Sequence, residues 1–156
     1  MDMAQPPVAK AVLRAILPLL AILIFSVAQA GATGTVRVQQ SDGSVRTYDD
    51  VSIRVKHNTL RIGSKDKKGV LVIDRAACSY VGELLRCLPT SFQLVQTGQT
   101  KTIQLTNGLV YLNLTDSPQQ MTFSSKHMQP HALMLTLHTL RGTYITIRGQ
   151  IDELQP

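Results

Sequence analysis

Residues 133–148, with the sequence LMLTLHTLRGTYITIR, contain the clearest signal for the fold. Leucine recurs at every second position in the first half and isoleucine does so in the second, as in two half-buried β-strands. A two-residue turn between them would place the two apolar rows on opposite faces. A three-residue loop at 140–142 instead pairs Leu137 with Ile145, and it puts Gly142 at the left-handed position that such loops favour. The stretch therefore predicts an antiparallel hairpin with one apolar face, since a shift of one residue would expose that face.

The same pattern of short strands and turns recurs towards the N-terminus. Residues 51–55, VSIRV, alternate between apolar and polar side chains, which indicates a half-buried strand. Residues 70–73 form a continuous apolar run, typical of a strand buried on both faces. Asn107-Gly108 is the dipeptide most typical of a tight hairpin turn. We therefore predict an all-β fold, a small antiparallel β-sandwich or barrel.

The first 30 residues have the pattern of a secretory signal peptide, which we expect to form a signal helix. Lys10 and Arg14 precede an uncharged, mostly apolar run at 15–27. Small residues then form a small-x-small site of the kind that signal peptidases cleave. The predicted cleavage site is formed by Ala28, Ala30 and Gly31.

Cleavage would leave residues 31–156 as one exported β-rich domain, either periplasmic or secreted. A minor alternative is a retained N-terminal membrane anchor, but the apolar stretch contains Pro18 and is shorter than the roughly 20 residues that a spanning helix needs. Removing the first 30 residues takes away two basic residues and one acidic residue, which lowers the formal net charge from +6 to +5. The basic residues are scattered and stacking aromatics are few, so nucleic-acid binding is not expected.

Residues 75–87 differ from the strand pattern, because they include Ala76-Ala77 and few β-branched residues. We predict a loop with one or two helical turns there. Cys78 and Cys87 are the two cysteines of the chain, and an even number in an exported protein favours a disulfide. The bond would close a loop of about ten residues and stabilise the fold by about 2.5–3 kcal/mol in the chain-entropy model. Their spacing is not that of a C-x-x-C redox pair, so the sequence predicts a structural, disulfide-pinned loop.

Methionine and histidine concentrate between residues 121 and 138. This segment contains three of the four histidines and every methionine outside the signal peptide. Thioether and imidazole together are ligands that copper(I) favours. In an extended strand the first two of these histidines would lie about 13 Å apart, so they converge only if the chain turns at 129–130. The candidate copper ligands are His127, Met128, His131 and Met134, and Met121 and His138 belong to the same cluster.

Enzyme motifs are absent from the sequence, which has no G-x-S-x-G, no H-E-x-x-H and no phosphate-binding glycine loop. The adjacent acids at 49–50 and 152–153 would point to opposite faces of a strand, and we interpret them as solvated turn and terminal charges. Asn113-Leu114-Thr115 matches the N-glycosylation triplet, which applies to a eukaryotic source. We assign no catalytic residue.

These patterns favour an exported, non-enzymatic binding or structural module of the cell envelope or extracellular space, without a cofactor. Its partners would be an envelope protein, polysaccharide or a membrane surface, and an exposed sheet edge offers a route by strand addition. One alternative is a periplasmic copper-handling protein that uses the His/Met segment. A second alternative is a small hydrolase whose site is assembled from distant residues.

Overall fold

The structure is a computed structural model that describes residues 33–64, 69–121 and 127–155. The predicted signal peptide, with Ala28, Ala30 and Gly31, lies outside these ranges, so its helix and its cleavage stay predictions. The described part of the chain is all-β apart from one short 3₁₀ turn. It includes no helix long and apolar enough to cross a membrane.

Strands follow one another closely along the described residues. They are β1 (Gly34–Gln39), β2 (Val45–Tyr48), β3 (Val51–Val55), β4 (Thr59–Ser64), β5 (Val70–Asp74), β6 (Cys78–Val81), β7 (Leu84–Cys87), β8 (Ser91–Gln96), β9 (Gln99–Asn113), β10 (Gln119–Gln120), β11 (His127–Met128), β12 (Ala132–Thr139), β13 (Tyr144–Gln150) and β14 (Glu153–Leu154).

The long strand β9 joins two half-sheets. Its first part pairs with β8, which continues through β5, β4 and β3 to β14; its last part pairs with β12, which continues through β13 and β1 to β2. The β6–β7 hairpin lies on the other side of that last part. The prediction of an all-β, sandwich-like fold is confirmed, but the sheet is mixed rather than antiparallel throughout, because β14 runs parallel to β3.

The inward faces of the two half-sheets share one apolar core, which we call the main core. Gly34 and Gly149 face each other at its edge, where Ile53 Cδ1 lies 3.0 and 2.8 Å from the position that a Cβ would take on each. Glycine at both positions therefore lets the two half-sheets approach. The buried residues of the main core are Val51, Ile53, Val55, Leu60, Ile62, Leu71, Ile73, Leu85, Cys87, Phe92, Val110, Leu112, Leu133, Leu135, Leu137, Ile145 and Ile147.

The final hairpin has the register that the alternation predicts. Leu137 lies opposite Ile145 and Leu135 lies opposite Ile147. Gly142 has a φ of +78°, and its N–H donates to the carbonyl of Thr139 at 3.0 Å. The three-residue loop and the burial of one face are thus both confirmed.

The predicted hairpin turn at Asn107-Gly108 is wrong, because β9 runs straight through it. A Cβ on Gly108 would lie 2.5 Å from the carbonyl oxygen of Pro89. The register of β9 against β12 also shifts here, at a bulge beside His138 and Thr139. The glycine therefore permits a close backbone approach where β9 passes from one half-sheet to the other.

Residues 75–87 form a hairpin rather than the predicted loop. One 3₁₀ turn is present at Arg75–Ala77, and β6 and β7 then pair across Gly82, whose φ is +63°. The predicted disulfide is confirmed, and it joins Cys78 to Cys87 directly across this hairpin. Burial of β7 on both faces of the sheet outweighs its low intrinsic β-propensity.

Candidate functional site

A second apolar cluster, the outer cluster, lies on the face of the sheet that points away from the main core. Successive side chains of a strand alternate between faces, so β7, β9 and β12 each contribute to both. The β10–β11 hairpin covers this outer face and adds two methionines. The outer cluster consists of buried Leu84, Tyr111, Met121, Met128 and Ala132, with Leu109 and Met134 packed against them.

The buried side chain of Asn113 holds this hairpin on the sheet. Its Nδ2 lies 3.0, 3.1 and 2.9 Å from the carbonyl oxygens of Ser117, Met128 and Gln129, to which it donates. Its Oδ1 accepts from the N–H and the hydroxyl of Thr115 at 3.1 and 2.8 Å. Asn113 is 0% exposed, so in the folded protein its nitrogen is not available to carry a glycan. The glycosylation triplet is instead an internal clamp between β9 and the two ends of the hairpin segment.

A cleft of about 640 Å³ opens beside the β10–β11 hairpin. Its floor includes Met134 and Arg148, which are cross-strand partners on β12 and β13, and Thr35, which lies opposite Arg148 on β1. The corner between β2 and β3 forms another part of the lining, through Asp49 and Asp50. The cleft therefore joins an apolar side beneath the hairpin to a charged side at the sheet edge.

Three methionines and one histidine line the same cleft. Met121 and Met128 are 4% and 6% exposed, Met134 is half-buried and His127 is exposed. Met121 follows β10, Met128 lies in β11 and Met134 lies in β12. Tertiary structure thus places three thioethers and an imidazole around one cleft, from the end of β10, from β11 and from β12.

Only three of the four predicted copper ligands line the cleft. His127, Met128 and Met134 line the cleft, and Met121 lines it with them. His131 lies outside the cleft lining, and its Nε2 lies 3.3 Å from Oδ1 of the exposed Asp116. His131 also has a φ of +49°, and its carbonyl accepts from the N–H of Ile151 at 2.7 Å.

His138, the last histidine of the cluster, lies at the far end of β12 from the cleft. Its ring packs edge-to-face on the ring of Tyr144, with the centroids 4.4 Å apart. Among the described residues, no group of three or more His, Cys, Asp or Glu side chains could hold a metal ion. The methionine thioethers are further soft donors in the lining of the cleft.

The paired acids have structural partners that the sequence did not reveal. Asp49 Oδ1 accepts from the hydroxyl of Thr35 at 3.3 Å, at the edge of the cleft. Asp152 Oδ2 accepts from the N–H of Ile53 at 2.8 Å, and Glu153 pairs with Arg54 at 3.2 Å. The acids at 152–153 are therefore not free terminal charges, since they attach β14 to β3.

A second depression, which we call the outer groove, continues from the cleft along the outer face of β1 and β13. It encloses about 500 Å³ and shares Thr35 and Arg148 with the cleft. Within the described residues, neither guanidinium of the groove forms an ion pair. All six lining residues are polar: Thr35, Arg37, Gln39, Tyr144, Thr146 and Arg148.

The outer groove was not predicted from the sequence, although its signal was present. The residues that alternate with the apolar row of β13 are Tyr144, Thr146 and Arg148, and β1 shows the same alternation. Comparisons with protein families, with curated proteins and with solved structures find no match to this chain.

Proposed function

We propose that the protein is a non-enzymatic binding module of the cell envelope or extracellular space, and that an acidic polysaccharide binds in its outer groove. The observation that carries the proposal is the lining of this groove by six polar residues that include two arginines and no acid. The Cys78–Cys87 disulfide is compatible with an oxidising compartment. The formal net charge of +6 favours an anionic partner.

The two arginines are spaced to contact one acidic chain at two points. Arg37 lies opposite Thr146, and Arg148 lies two residues further along β13. Diagonal neighbours of this kind are about 7–8 Å apart. A guanidinium binds a carboxylate or sulfate through two parallel hydrogen bonds, so the pair would select an extended polyanion rather than one small anion.

The remaining groove residues suit a sugar backbone. Tyr144 supplies an apolar ring face with a polar hydroxyl, and its position is fixed by the edge-to-face contact with His138. The hydroxyls of Thr35 and Thr146 donate within the protein, to Asp49 and to the carbonyl of Arg37, and can accept from sugar hydroxyls. The amide of Gln39 can both donate to and accept from them. The pairing of β1 with β13 holds these groups in register, which reduces the entropy lost on binding.

Affinity electrophoresis of the oxidised full chain through alginate, a polyuronate, tests the proposal, with neutral dextran as the control polymer. Arg37→Gln should weaken binding about three- to tenfold, as expected for the loss of one exposed charge-assisted hydrogen bond. Arg46→Gln is the matched control, because Arg46 lies opposite Val38 on the other face of the neighbouring strand. It should change the affinity less than twofold.

Equal losses in the two arginine variants would show that only net charge matters and would overturn the groove as the site. Retardation by dextran as strong as by alginate would also contradict the proposal. If only anionic vesicles, or only a protein captured by crosslinking, bind the wild type, a membrane or protein partner replaces the polysaccharide.

A further inference from the structure

We infer that the cleft beneath the β10–β11 hairpin is a second site, which binds copper(I) through the thioethers of Met121, Met128 and Met134 and the imidazole of His127. This ligand set differs from the one that the sequence indicated, because Met121 replaces His131. The inference is independent of the polysaccharide proposal. It rests on where methionine occurs in the fold and on the charge of the cleft.

Methionine is confined to one face of the sheet in the described residues. The main core has seventeen buried residues and none of them is methionine. The outer cluster has far fewer residues, yet it contains all three described methionines. If methionine served only to fill gaps in packing, it would be expected in both clusters. The main core, which is the larger, contains none. Its concentration beside an open cleft points to the chemistry of its sulfur.

The donors select for a soft, monovalent ion. Thioether sulfur is neutral and polarisable, so it binds copper(I) or silver(I) and has little affinity for calcium, magnesium or other hard cations. His127 is the exposed member of the set and supplies an imidazole nitrogen at the cleft. Neutral donors leave the positive charge of the ion uncompensated. Asp49 and Asp50 in the same lining outnumber the one cation there, Arg148, so the lining has an excess of one negative charge.

Asn113 acts as a positioning residue for this site. Its amide binds the carbonyls of Met128 and Gln129, and thereby fixes the strand that carries both His127 and Met128. Met134 is fixed independently, since β12 is paired on both sides by β9 and β13. The site therefore combines Met134, held by the sheet, with His127 and Met128, held by the hairpin that the amide of Asn113 anchors.

Competition titration of the oxidised full chain tests the inference. Copper(I) is delivered with ascorbate and bicinchoninate, because a thiol reductant would cut the disulfide, and silver(I) serves as a redox-inert probe. We expect one ion per chain, bound with a Kd below 1 µM. Met121→Leu and Met134→Leu should each weaken binding at least tenfold, whereas leucine preserves most of the packing volume. His127→Gln should weaken it similarly.

His131→Gln and His138→Gln are the matched controls, since both histidines lie outside the cleft lining, and each should change the affinity less than twofold. In protein labelled with ¹³C at the methionine methyl groups, silver(I) should shift three of the five methionine signals together. A Kd above 1 µM would overturn the site. So would a Kd unchanged by Met121→Leu, or an equal loss of affinity in His131→Gln and His127→Gln. A fold check by circular dichroism accompanies every variant, and the methyl shifts in wild type give a readout that needs no variant.

Discussion

The main core and the outer cluster lie on opposite faces of the same strands, but different forces hold them together. The main core is a layer of mostly aliphatic side chains between two half-sheets. The outer cluster is a thin patch under a short hairpin, and the amide of Asn113 holds that hairpin at three carbonyls. Strand β12 contributes Leu135 to one and Met134 to the other. The comparison indicates that side chains buried on the inner face stabilise the fold, while side chains on the outer face are available for binding.

The largest effect should come from the inner face of β12. Leu135 is 1% exposed, so Leu135→Ala leaves a cavity and should lower the free energy of unfolding by about 4 kcal/mol. Met134→Ala, one residue away on the outer face, should cost about 1 kcal/mol because its side chain is half-buried. Urea unfolding of both variants measures the difference. Equal losses in the free energy of unfolding would show that the two faces do not differ in their contribution to stability.

An intermediate effect should come from the clamp. Asn113→Ala leaves the carbonyls of Ser117, Met128 and Gln129 without their donor, and each buried unpaired group costs about 1–3 kcal/mol. We expect a total loss of about 2 kcal/mol, since the hairpin can open to water. Hydrogen exchange should accelerate in β10 and β11 and stay slow in β12 and β13.

Asn107→Ala is the control for the clamp, because Asn107 lies on the same strand but is exposed. It should leave both stability and exchange almost unchanged. Faster exchange across the whole sheet in Asn113→Ala would mean that the clamp belongs to the main core, and the two regions could not be treated separately.

The smallest effect should come from the turn before β2, which belongs to neither cluster. Ser44 holds the pKa of Asp42 below its ordinary value of 3.8. The larger cause is the hydrogen bond from the Ser44 hydroxyl, and the next is the Ser44 N–H, which donates to Asp42 Oδ1 at 2.9 Å. A lowered folded-state pKa stabilises the fold above the unfolded pKa, and this contribution disappears as pH falls through the folded pKa.

The Tm of the wild type should therefore fall slightly more than the Tm of Asp42→Asn when the pH is lowered from 6 to 2. Ser44→Ala should reduce the same difference, because it removes the hydroxyl donor. Thermal unfolding at a series of pH values checks this, and a larger acid-induced loss in Asp42→Asn than in wild type would reverse the assigned sign.

Local patterns predicted those parts of the fold that local chemistry determines. In the last hairpin, alternation and Gly142 specify the register within 20 residues of sequence, and both were confirmed. At Asn107-Gly108 the same kind of evidence failed, because the glycine serves a contact with Pro89 and not a turn. Neither contact partner nor bulge is visible in the dipeptide itself.

The candidate site depended even more on distant contacts. The sequence grouped histidines and methionines by proximity along the chain, which selected His131. In the structure, the turn at 129–131 directs His131 towards Asp116, and Met121 joins the cleft from the other end of the hairpin. The buried Asn113 makes this arrangement possible. In the sequence, Asn113 stands out only as part of an N-glycosylation triplet.

The pairing of β1 with β13 and of β3 with β14 has a consequence for the order of folding. These pairs join residues about a hundred positions apart, and closing such distant pairs slows folding. The β6–β7 hairpin needs only ten neighbouring residues, so Cys78 and Cys87 can meet by local motion of the chain and be oxidised once the segment is in an oxidising compartment. The pairing of β3 with β14, by contrast, cannot form until residue 154 is available. In an oxidising compartment the disulfide should therefore form before these distant strands pair.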